Sequence, residues 1–150
     1  MKIAVVGLGY VGMSNAILLS QFNQVVALEI DQEKIDKINN NLSTIDDEEI
    51  IDFLKNKNLN LIATKEKQIA YENADYVIVA TPTDYNPETN NFDTNSVESV
   101  IADVMHLNRK AVVVIKSTVP VGFTHSLKIK MNYEPFVIRK INYPRVIKNT

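Results

Sequence analysis

Apolar positions along the chain follow two alternating patterns. The runs Ile3-Ala4-Val5-Val6, Val25-Val26-Ala27-Leu28, Tyr76-Val77-Ile78-Val79-Ala80 and Ala111-Val112-Val113-Val114-Ile115 carry almost no polar side chain. Such β-rich runs suit strands buried on both faces, as in a parallel sheet. Leu59-Asn60-Leu61-Ile62-Ala63 predicts a shorter strand, third in chain order. Between these runs the apolar spacing is helical. Val11, Ala16, Leu18, Leu19 and Phe22 predict a helix over residues 10–22, and Ile35 and Ile38 one over 31–41. Val97, Val100, Ile101, Val104 and Met105 form the stripe of a longer helix opened by Asn95. Further helices are expected over 46–57, 65–72 and 123–131. Asp31, Asp46 and Asn95 are the expected N-caps, the last two with Glu49 and Glu98 three residues on. Residues 81–93 read as a polar loop with two prolines, longer than most connections and therefore a candidate for function.

Strands alternating with helices across short connections predict an α/β fold. The expected form is a doubly wound, mostly parallel sheet with right-handed crossovers and helices on both faces.

Length and charge bound this picture. The 150 residues make one ordinary domain, with 45% hydrophobic and 23% charged residues, a globular composition. The net charge of -2 points to no nucleic-acid partner. It is uneven: net +5 from Lys128 onward leaves -7 on the residues before. Residues 1–131 are expected to form the domain and 132–150 a divergent basic tail. That tail reads either as a solvated segment or as a docking element. With no cysteine, disulfides, thiolate metal sites and thiol nucleophiles are excluded. Two histidines, His106 and His125, lack a ligand or acid partner at useful spacing, so no metal site is expected and both read as structural or solvated. Tyr71, Tyr76 and Tyr85 read as packing and loop residues. The N-terminal apolar run is too short for a signal peptide, and no stretch approaches the ~18 apolar residues of a membrane span. A cytoplasmic protein is expected.

The first strand runs into Gly7-Leu8-Gly9-Tyr10-Val11-Gly12, a G-x-G-x-x-G turn that opens the first helix. In that context it predicts a Rossmann-type site. Gly7 suits the tight turn, Gly9 lets a pyrophosphate approach the backbone, and Gly12 lets helix and strand pack closely. The helix N-terminus offers N–H groups to the phosphates. Glu29 ends the second strand 17 residues after Gly12. A carboxylate there accepts from adenosine ribose hydroxyls and repels a 2′-phosphate, which favours NAD over NADP. Asp31 is a second candidate on the same edge. The competing readings are a turn that only packs a helix, and a methyltransferase, whose cofactor also carries a ribose.

Two further strand ends are polar: Ala80-Thr81-Pro82-Thr83-Asp84-Tyr85 and Lys116-Ser117-Thr118-Val119-Pro120-Val121-Gly122. Each puts hydroxyls where a dinucleotide's ribose and nicotinamide belong, yet threonine and proline also simply make good turns.

These two segments, the second extended from Ile115 to Phe123-Thr124, resemble the UDP-glucose 6-dehydrogenases when taken with Lys2-Ile3-Ala4-Val5-Val6-Gly7-Leu8-Gly9-Tyr10-Val11-Gly12. The match runs in order through about Met131. The resemblance implies oxidation of UDP-glucose to UDP-glucuronate by two NAD in two steps, serving polysaccharide biosynthesis. It implies backbone contacts from Tyr10 and Val11 to the pyrophosphate, Glu29 on the ribose and Lys34 nearby. It places Thr83 and Thr118 along the cofactor cleft, with Thr118 helping to position a catalytic water. The family continues into a Ser-Pro-Glu-Phe-Leu-Arg-Glu segment that binds sugar nucleotide, whereas here the chain reads Glu134-Pro135-Phe136-Val137-Ile138-Arg139-Lys140. Nothing is carried over to that segment. The family's nucleophilic cysteine and substrate domain would lie beyond Thr150.

The expectation is therefore an NAD-binding domain, truncated or decayed, that binds NAD without turnover. The rivals are a non-enzymatic NAD-binding module, a fragment of a UDP-N-acetylmannosamine dehydrogenase, and a 2-hydroxyacid or 6-phosphogluconate-type dehydrogenase fragment. Apolar surface left at the ligand edge would favour a homo-oligomer.

Overall fold

A computed structural model describes residues 1–132 and the short strand at 136–137. Chain order is β1 (Lys2–Val6), α1 (Tyr10–Ser20), β2 (Gln24–Leu28), α2 (Gln32–Asn39), α3 (Glu48–Asn56), β3 (Leu61–Thr64), α4 (Lys67–Tyr71) and β4 (Tyr76–Val79). A hairpin of β5 (Tyr85–Asn86) and β6 (Asn91–Phe92) follows, then α5 (Asn95–Leu107), β7 (Val112–Ile115), α6 (Phe123–Met131) and β8 (Phe136–Val137). The sheet order is β3-β2-β1-β4-β7-β8, all neighbours parallel. Strands added outward on one side of β1 and then on the other make this the doubly wound, Rossmann-like fold expected.

The unbroken apolar runs have a direct cause. Ala4 and Val6 of β1 point into a core shared with Ala70, Tyr71, Val97, Ile101 and Val104 of α4 and α5. Ile3 and Val5 point the other way, toward Ala16 of α1. Beside them Met13, Ile17, Ile35, Ile38, Ile50 and Leu54 carry α1, α2 and α3 on that same face. Both faces of β1 are covered from Ile3 to Val6, so that run carries no polar side chain.

Four local expectations are corrected. Asp47, not Asp46, caps α3, because its Oδ1 accepts from Ile50 N–H at 3.0 Å while Asp46 is exposed. Asn95 is the first residue of α5 rather than its cap. Thr94 holds the cap position, and Asp93 Oδ1 takes the Asn95 N–H at 2.9 Å. Glu98 does not reach back to the backbone. It accepts from Thr94 Oγ1 at 3.3 Å and pairs with Lys130 at 2.7 Å. Finally, the segment 81–93 is not a plain loop. Its middle is the β5–β6 hairpin, in which Tyr85 and Phe92 rings lie 5.2 Å apart and Asn90 turns the chain at φ +52°.

β8 pairs with β7 in the register Val113↔Phe136 and Val114↔Val137. It falls in the segment set apart as a basic tail; residues 133–135 and 138–150 lie outside the described residues. Among the described residues no helix is long and apolar enough to cross a membrane.

Candidate functional site

The carboxyl ends of β1, β2, β4 and β7 share one edge of the sheet, and the glycine turn, Glu29 and the segments holding Thr83 and Thr118 follow directly from these ends. Gly7 leaves β1 at φ +90°, a region open to glycine. A Cβ there would sit 2.7 Å from the Ala80 carbonyl oxygen, just past β4. The two segments therefore touch where the winding direction reverses, the position at which open α/β sheets take ligands. A Cβ on Gly12 would fall 1.8 Å from the Gly7 carbonyl oxygen, so α1 rests directly on the turn.

Gly9 is different. It caps α1 at φ -72°, and a Cβ built on it has no heavy atom within 4 Å. No described residue requires glycine there. The space lies before the N-terminus of a helix with no side-chain cap and no acidic residue in its first turn. First-turn N–H groups such as those of Val11 and Gly12 have no intrahelical acceptor, and the helix dipole adds partial positive charge. The donor set suits an anionic group that approaches the backbone closely, as a dinucleotide pyrophosphate does.

Glu29 lies beside the turn, only 8% exposed. Its Oε2 accepts from Leu8 N–H at 3.0 Å, and its Oε1 from Ile30 N–H at 2.8 Å and Asp31 N–H at 3.2 Å. Asp31 is engaged as the cap of α2, accepting from Glu33 N–H at 2.9 Å. Lys34 follows in the first turn of α2, partly buried. The segment between α2 and α3 also reaches the turn. Thr44 Oγ1 lies 3.5 Å from the Leu8 carbonyl oxygen, and the Tyr10 hydroxyl donates to Asp47 Oδ2 at 2.8 Å. The Ile50 N–H, and then the Tyr10 hydroxyl, hold the Asp47 carboxyl below the ordinary carboxylate range.

On the other side of the switch point the two threonine segments are tied together. Thr83 Oγ1 donates to the Thr118 carbonyl at 2.7 Å. Ser117 Oγ donates to the Thr81 carbonyl at 2.7 Å, and Ser96 Oγ, from α5, to the Pro82 carbonyl at 2.8 Å. Thr83 thus spends its proton inside the protein and keeps acceptor capacity, while Thr118 is exposed. These hydroxyls tie the turns of the two segments together. Sequence reasoning missed Ser96, Thr44 and Asp47. The two partners in each of these contacts are far apart in the chain, and no local pattern pairs them. His106 and His125 are exposed, and Tyr71 is buried in the core.

Against this geometry the comparisons are specific. The sequence model described as the UDP-glucose/GDP-mannose dehydrogenase family, NAD binding domain, matches residues 1–139. A UDP-glucose 6-dehydrogenase of Campylobacter jejuni is 48% identical over 139 residues, which cover 91% of this chain and 35% of that protein. One from Streptococcus pneumoniae is 42% identical over 137 residues, with the same coverage of 91% and 35%. The structure of a UDP-D-ManNAc dehydrogenase from Pyrococcus horikoshii superposes with a TM-score of 0.79 at 28% identity, over 92% of this chain and 35% of that one. A GDP-mannose dehydrogenase from Pseudomonas aeruginosa shares the fold at a TM-score of 0.78 and 23% identity, over 92% and 35% of the two chains. The chain spans about a third of these relatives' length. The chain belongs to the UDP-glucose/GDP-mannose dehydrogenase family, as its NAD-binding domain.

Proposed function

We propose that this domain carries the NAD site of a UDP-glucose 6-dehydrogenase. The observation that carries the reading is the space before Gly9, which the protein leaves open and lines with helix N-terminal N–H groups. The Tyr10–Val11 backbone would hold the pyrophosphate. Glu29 would accept from the adenosine ribose, with Lys34 beside it, and would exclude a 2′-phosphate. Thr83 and Thr118 would line the nicotinamide end, and the exposed Thr118 hydroxyl would help to hold the water consumed in forming the carboxylate. Bound there, NAD supplies the hydride acceptor. The UDP-glucose substrate rests on the identity of the two bacterial relatives. Nucleotide-sugar supply for polysaccharide synthesis, a cytoplasmic location and a homo-oligomer belong to the same reading.

The second oxidation of such a reaction runs through a thiol adduct by the resemblance above, and these 150 residues contain no cysteine. The 150-residue chain is therefore expected to bind NAD without turnover. Incubation with UDP-glucose and NAD, followed at the NADH absorbance, should stay at the blank rate while NAD binding saturates. Steady NADH release would contradict the assignment of this chain to the cofactor half alone.

A further inference from the structure

Glu29 does more than stand beside the site. One of its three N–H donors, Leu8, lies 21 residues away in sequence, between the first two glycines of the turn. Leu8 is itself 1% exposed, so its N–H would have no solvent to turn to if the carboxylate left. On its other side the Leu8 carbonyl faces Thr44 Oγ1. The middle of the glycine turn is thus gripped at both peptide groups by side chains from elsewhere. A carboxylate offers about four lone-pair positions, and three are filled by backbone N–H groups, leaving one on Oε2.

We propose that Glu29 is a positioning residue for the pyrophosphate site as well as an acceptor for one ribose hydroxyl. By holding the Leu8 N–H it sets the path from Gly7 to Gly9 and hence the direction of the Val11 and Gly12 N–H groups. Ribose and phosphate recognition then pass through one carboxylate. The ribose part rests on the NAD reading; the grip on the turn does not. An aspartate is one methylene shorter. It keeps the charge but cannot hold the Ile30 and Asp31 N–H groups and still reach Leu8.

The test uses Glu29→Asp, with Glu29→Gln read in the same way should the first fail to fold. Amide hydrogen exchange is followed in the ligand-free chain. Affinity is measured for NAD and for an NAD analogue whose adenosine ribose lacks both the 2′ and 3′ hydroxyls. In the variant, Leu8 exchange should accelerate about tenfold while Val5 and Val26 in the core strands stay unchanged. Affinity for the dideoxy analogue should also fall about tenfold, the factor expected for one charge-assisted hydrogen bond. Unchanged Leu8 exchange, or a dideoxy affinity indifferent to the substitution, would overturn the proposal. Failure of the unsubstituted chain to bind NAD would instead refute the functional reading, and the exchange measurement would still decide the grip on the turn.

Discussion

Gly9→Ala separates what the fold needs from what a ligand needs. The added Cβ meets no heavy atom within 4 Å, and φ -72° is ordinary for alanine. Stability should change by no more than about 1 kcal/mol, because the chain entropy that alanine saves is offset by its poorer fit at an N-cap. Binding should behave otherwise. The Cβ occupies the space through which a phosphate would approach the first turn of α1, and the oxygens would lose one or two charge-assisted hydrogen bonds. At about 1.5–3 kcal/mol each, NAD affinity should drop at least tenfold. Gly12→Ala is the opposite control. Its Cβ would stand 1.8 Å from the Gly7 carbonyl oxygen, so α1 must move by more than an ångström. A cost near or above about 3 kcal/mol is expected, which lowers Tm by roughly 6–12 °C in a domain of this size. Calorimetric titration with NAD and thermal melts of both variants make the comparison. A Gly9→Ala variant that binds NAD as tightly as the parent would refute the placement of the pyrophosphate.

Two further outcomes follow from the described contacts. The Tyr71 hydroxyl is buried with no hydrogen-bond partner among the described residues, and burial pushes its pKa up. Tyr71→Phe should leave stability unchanged or raise it by about 1 kcal/mol in urea melts, and a clear loss would mean that the hydroxyl is satisfied. Asp47 has a lowered folded-state pKa, so its contribution is present above the ordinary carboxylate range and fades as pH falls through the folded value. The stability gap between the parent chain and Asp47→Ala should therefore hold from about pH 7 to about pH 5 and narrow as pH falls below about 4, and a gap that widens toward acid would contradict the capping role.

The parts of this fold that could be read from sequence are those set by local pattern. β1 is apolar on both faces because α1 and α5 cover it from opposite sides, and an unbroken run of four apolar residues records that. The G-x-G-x-x-G turn is legible because Gly7 and Gly12 answer to clashes fixed by the strand–turn–helix geometry itself. The caps were harder. Asp46 and Asp47 are adjacent acids, and only the path of the chain into α3 decides which reaches Ile50. Asp93, Thr94 and Asn95 pose the same ambiguity, resolved when Asp93 takes the Asn95 N–H. The β5–β6 hairpin was hidden because its strands are two residues long, too short for alternation to register. The grip of Glu29 on Leu8, and the ties from Ser96 and Ser117 to residues 81–82, join segments 14 to 36 residues apart. Glu29 and Ser117 were legible only as polar residues at strand ends, and Ser96 not at all, because their partners are set by the sheet order.

An NAD site at the carboxyl edge of this sheet, with the carboxylate of Glu29 selecting against NADP, can be tested by binding alone. Isothermal titration of the 150-residue chain with NAD and, separately, NADP tests it most directly. Saturable binding of NAD with one site per chain is expected, with NADP affinity lower by at least about tenfold, the direction a carboxylate facing a 2′-phosphate imposes. A folded chain that binds neither dinucleotide, or that takes NADP as readily as NAD, would contradict it.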